Sequence, residues 1–150
     1  MGDKDLFDDA NFLRELVLDH YKYPHNHGLV AGDGYISKHM ASDSCIDDIT
    51  VQLDVQDEVI RDVRFDGVAC AISTASTSMM GDLLIGKTIT EAKKIIDEYF
   101  KMIENKEYDA DMLEEAVAFK NVYKQANRIK CATIGWNAMN ELLEKKEDEK

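Results

Sequence analysis

Long apolar runs are missing from this chain. None approaches the roughly 18–20 consecutive apolar residues that a membrane-spanning helix needs. Positive charge is also scarce: 18 Lys and Arg stand against 30 Asp and Glu, a formal charge of −12. Nucleic acid and anionic membrane both call for a basic face, so the charge argues against either as a partner. It suits a protein whose partners offer positive surfaces. Cysteine is limited to Cys45, Cys70 and Cys131. An odd number with such wide separations is no disulfide framework, and no Cys-x-x-Cys occurs. Proline occurs once, at Pro24. Repeats and low-complexity tracts are absent ahead of the charged C-terminal stretch.

What is present describes a globular protein. A chain of 150 residues with 45% hydrophobic and 32% charged residues reads as a single domain over 1–150. That size allows a real core without covalent staples. The N-terminal Met1-Gly2-Asp3-Lys4-Asp5 lacks a signal-peptide core. Leu6, rather than Ser or Thr, stands at the position a myristoylation signal would use. The expected location is cytoplasmic.

Hydrophobic periodicity lays out the elements. Residues 8–23 carry Phe12, Leu13, Leu16, Val17 and His20 at helical steps, and Pro24 ends the run. Residues 49–55 alternate between apolar Ile49, Val51, Leu53, Val55 and polar Thr50, Gln52, Asp54, a strand with one wet face. A turn at 56–58 leads to a second strand from Val59 to Phe65, closing at Asp66-Gly67. Residues 34–40 supply a third, weaker strand. After Cys70, Ile72, Ala75, Met79 and Leu83 read as a helix ended by Gly86. Thr88-Ile89-Thr90-Glu91 is a capping-box pattern that opens another. A short helix over 111–119 and a last one from about Ala132 to Glu144 complete the chain, with 144–150 expected to fray. A helix, then strands, then helices is a segregated α+β layout: a small antiparallel sheet with helices on one face.

Each cysteine has a chemically pointed setting. Cys45 lies in a polar loop ahead of a strand, with Asp47 two residues on; in extended backbone both side chains share a face and can share one metal ion. Cys70 precedes a helix, whose N-terminal N–H groups favour a thiolate. Cys131, also expected just before a helix, is flanked by Arg128 and Lys130, cations that lower a thiol pKa. Three thiolates and one carboxylate make a sensible tetrahedral zinc site and can equally hold an iron–sulfur cluster; three inert buried thiols are the plain alternative. His20, His25, His27 and His39 are spare candidate ligands. Trp136, Met79 and Met80 read as core, Glu91 as a cap, and the small residues Ala71 to Ser78 as a surface for close packing.

Three blocks resemble the SufU/IscU family. Asp19-His20-Tyr21-Lys22-Tyr23-Pro24-His25-Asn26-His27-Gly28 is similar to the family's opening motif. Phe65 to Ser76, continued by Ser78-Met79-Met80 and Gly86-Lys87, resembles the block around its second cysteine. Arg128-Ile129-Lys130-Cys131-Ala132-Thr133 resembles the block around its third. The likeness spans about residues 10–143. Lys130 stands where IscU-like proteins place a His, and residues 104–125 look like the insertion of SufU-like ones, so the resemblance favours the SufU branch.

The resemblance implies a three-stranded antiparallel sheet with helices packed on it. It implies zinc held by Cys45, Asp47, Cys70 and Cys131, and Arg128 steadying the anionic thiolates. Persulfide sulfur would come from a pyridoxal-phosphate cysteine desulfurase of the SufS type, with Cys45 leaving the metal to take it. Two other activities fit the same residues: a scaffold that assembles a [2Fe–2S] cluster and passes it to apo-proteins, and a structural zinc adaptor without sulfur chemistry. One departure bears on the site. Ile46 stands where the family usually has glycine, and a β-branched residue resists positive φ. If the family backbone is required there, Ile46 shifts Cys45 or Asp47 and alters metal affinity or desulfurase docking. Ala69 likewise stands where glycine is common.

Overall fold

The computed structural model describes residues 8–41 and 46–149. Helix α1 (Ala10–Lys22) starts where the Asp9 carboxylate accepts the N–H groups of Asn11 and Phe12, the usual way of satisfying a helix's first donors. It turns Leu13 and His20 inward, with Phe12, Leu16 and Val17 packed partly against the core.

Strands β1 (Tyr35–Ala41), β2 (Asp48–Gln56) and β3 (Val59–Val68) form one antiparallel sheet in the order β1-β2-β3. The β2–β3 turn is Asp57-Glu58, both at positive φ (55° and 66°). That mirror-type turn matches the right-handed twist of the strands it joins. A register shift beside Asp54 and Val55 breaks the two-residue alternation of β3. Ile60 and Val63, three apart, are therefore both buried, together with Phe65. Ile49, Val51 and Leu53 of β2 complete this apolar face. On the opposite face the 27–30 loop lies over β2 and β3. Gln52 exchanges two hydrogen bonds with the Val30 backbone, and the Arg64 guanidinium donates to the His27 and Gly28 carbonyls.

Helix α2 (Ala71–Leu84) follows β3 directly. Gly86, at φ 91°, then turns the chain into α3 (Ile89–Ile103), capped reciprocally by Thr88 and Glu91 as the sequence predicts. The connection is tied to the hairpin: Gly86 N–H donates to the Ile60 carbonyl and Ile60 N–H to that of Lys87, each at 2.8 Å. Next comes α4 (Ala110–Leu113). A residue at φ 47°, Glu114, interrupts it, so the expected 111–119 helix continues as a 3-10 segment over Glu114–Phe119.

Helix α5 (Ala126–Asp148) differs from expectation at both ends. It begins at Ala126 rather than near Ala132 and runs on through the charged stretch to Asp148. Gln125, its N-cap, makes no side-chain capping bond, so the sequence carries no start signal there. Cys131 is consequently inside a helix, not ahead of one. Trp136 of α5 stacks on Tyr99 of α3 with ring centroids 3.7 Å apart and planes 2° from parallel. Among the described residues no helix is long and apolar enough to cross a membrane.

Candidate metal centre

Three of the four sequence-selected ligands come together at one end of the sheet. Asp47 enters from the residue just before β2, Cys70 is the N-cap of α2, and Cys131 projects from α5. One ligand atom from each lies within 4.8 Å of the other two. The fourth, Cys45, falls on residues 42–45, outside the described part. Asp47 is only 1% exposed and Cys131 likewise, while Cys70 is half-buried. A carboxylate at that depth requires compensation, and here the start of α2 supplies part of it. The Cys70 N–H donates to Asp47 Oδ1 at 2.8 Å, and the Ser73 hydroxyl donates to Asp47 Oδ2. Ser73 Oγ also lies 3.2 Å from Cys70 Sγ, which caps α2 by accepting the Ser73 N–H. Soft sulfur with one carboxylate oxygen suits zinc or an iron–sulfur cluster, so donor chemistry and convergence both fit such a group.

Ile46 is 67% exposed. The strand end beside it needs glycine. Gly67, at φ 131°, lies so close to β2 that a Cβ would stand 2.2 Å from the Asp48 carbonyl oxygen. Ser73 is the residue the sequence reading passed over, taking it as one small side chain in a packing stripe. Its signal is its position three residues after a helix-capping cysteine, where a hydroxyl faces back toward the cap.

The other candidates are placed as follows. Arg128 lies one turn before Cys131 on α5, exposed, and lines a cleft with Arg14, Leu13, Val17 and Ile72. Among the described residues it forms no ion pair. His20, His25 and Asp82 make a second cluster, with ligand atoms again within 4.8 Å. Neighbouring groups engage several of its polar atoms. The buried Ser78 hydroxyl accepts the His25 N–H at 2.8 Å and sits 2.7 Å from His20 Nδ1. His20 Nε2 lies 3.1 Å from Glu115 Oε1. This bond holds the Glu115 carboxyl below the usual carboxylate range. Asp82 pairs with His25 at 2.5 Å and accepts from Asn26. The cluster thereby staples the 25–26 loop and α1 onto α2. His27 and His39 pair with Asp66 and Asp48.

Residues 13–139 match the model of the NifU-like N-terminal domain. The chain is 38% identical to the "Iron-sulfur cluster assembly scaffold protein IscU" of Streptococcus pyogenes serotype M1, across 87% of this chain and 81% of that protein. It is 35% identical to the "Zinc-dependent sulfurtransferase SufU" of Bacillus subtilis (strain 168), across 89% and 90%. Among solved structures, a putative iron–sulfur cluster assembly scaffold protein for the SUF system from Fervidobacterium islandicum AW-1 superimposes with a TM-score of 0.76 at 30% identity. The match covers 86% of this chain and 94% of that one.

Proposed function

This chain belongs to the NifU-like N-terminal domain family of iron–sulfur cluster assembly proteins, and from that premise we propose that it is a zinc-holding acceptor of persulfide sulfur from a cysteine desulfurase. The observation that carries the reading is the convergence of Asp47, Cys70 and Cys131 from three separate elements. With Cys45 they would supply an S3O donor set for zinc, which when bound would keep its thiols deprotonated and shielded from oxidation. Cys45, in a stretch of polar sequence, is the nucleophile. Its thiolate attacks the outer sulfur of the desulfurase persulfide, the desulfurase S–S bond breaks, and the desulfurase cysteine leaves as a thiolate. The new S–S bond is on Cys45, and the proton of the persulfide travels with the transferred sulfur. Arg128, exposed near the start of α5, steadies the thiolates by its charge. The acidic surface suits a partner with a basic docking face.

Desulfurase turnover with wild type and Cys45→Ala tests this. Strong stimulation by wild type and none by the variant is expected; equal stimulation by both ends the reading. A scaffold role is the second reading, favoured by the name of the Streptococcus pyogenes relative. Its substrate would be iron and sulfide assembled on the same four residues. Anaerobic reconstitution giving a stable, transferable cluster, from protein purified without zinc, would establish it instead.

A further inference from the structure

Ser73 touches both a carboxylate and a sulfur of the candidate centre, yet nothing in the proposed chemistry requires a hydroxyl. It is 1% exposed, so water does not account for it. Its Oγ is within hydrogen-bonding reach of Asp47 Oδ2 and 3.2 Å from Cys70 Sγ. A serine has one proton to give. An ionised carboxylate can only accept, so that proton goes to Asp47, while the Ser73 backbone N–H is the donor to the Cys70 sulfur. The other oxygen of Asp47 takes the Cys70 N–H. The carboxylate is thus gripped at both oxygens by the first turn of α2, which also carries Cys70.

We propose that Ser73 is a positioning residue for the metal centre, its hydroxyl fixing Asp47 against the first turn of α2, which carries Cys70, so that an ion meets a ready-made pair of ligands. The proposal rests on the reading that Asp47 and Cys70 bind an ion. Each carboxylate oxygen can accept more than one partner, so Asp47 Oδ2 can keep the Ser73 hydroxyl while it ligates; the hydroxyl assists the ion and does not compete with it. Without it, Asp47 regains torsional freedom that ion binding must remove, and one of its oxygens loses a buried donor. Outer partners of this kind typically change metal affinity by about 10–100-fold.

The test is zinc affinity by competition with a chromophoric chelator, for wild type, Ser73→Ala, Ser73→Thr and Asp47→Ala, with far-UV circular dichroism and melting of the metal-free forms alongside. Ser73→Ala is expected to bind zinc about 10–100-fold more weakly while its metal-free circular dichroism spectrum matches wild type, with a lower melting temperature from the lost buried donor. A merely structural serine would lower the melting temperature and leave zinc affinity unchanged. Ser73→Thr keeps the hydroxyl and is expected to stay within about threefold of wild type. It carries the test alone should the alanine variant not fold, and a tenfold loss there overturns the proposal. Unchanged affinity in Ser73→Ala with a large loss in Asp47→Ala overturns the positioning role alone. Unchanged affinity in Asp47→Ala overturns the reading of the centre, and this inference with it.

Discussion

Gly67 is where the sheet and the candidate centre constrain each other most tightly. Its φ of 131° and the 2.2 Å approach of the Asp48 oxygen to any added Cβ leave no room for a side chain. Asp48 follows Asp47, so a shift here reaches the ligand. Gly67→Ala should cost about 1–3 kcal/mol through backbone strain, read as a lower urea midpoint with an unchanged slope. Of the individual site residues, Asp47 and Cys70 were legible in the sequence because their spacing and setting carry chemistry by themselves. Ser73 was not, because a serine among seven small residues looks like packing until a partner is seen.

Among the elements, those with local punctuation were read correctly. The 49–55 alternation, the turn after it and the Thr88 capping box each state their structure within a few residues. Thr88→Ala should therefore cost about 1 kcal/mol, measured by thermal or urea unfolding, because Glu91 N–H loses its acceptor. The start of α5 was misread because nothing local marks it. Gln125 does not cap by its side chain, and Asn127, Arg128 and Lys130 are exposed without apolar periodicity. The consequence reaches the site, since Cys131 sits beyond the first turn, where the helix N-terminus no longer favours a thiolate strongly. Burial among neighbouring elements, not the helix end, sets its environment. The 111–119 segment was expected as one helix, and the positive φ at Glu114 that divides it has no sequence cue.

Across the molecule, the segment between α3 and α5 is joined to α1 through Glu115 and His20. The Glu115 carboxyl is held below its ordinary 4.5 chiefly by that hydrogen bond. A carboxyl lowered on folding stabilises fully above its unfolded value and loses that contribution as pH falls through the folded one. Glu115→Gln should thus be less stable than wild type at neutral pH. The gap should close as pH drops below about 4.5, with urea midpoints across pH as the measurement. A wild-type advantage that persists undiminished at low pH would show that this pair is not the link.

The stacking of Trp136 on Tyr99 has a practical side. The chain has one tryptophan, fully buried, on the same helix as Cys131. The tyrosine beneath it hydrogen-bonds the Ala132 carbonyl at 2.7 Å. Nature has thereby installed a single ultraviolet beacon about a turn and a half from the sulfur-bearing end of α5. Any loosening of that helix would announce itself as a change of emission colour, with no dye attached.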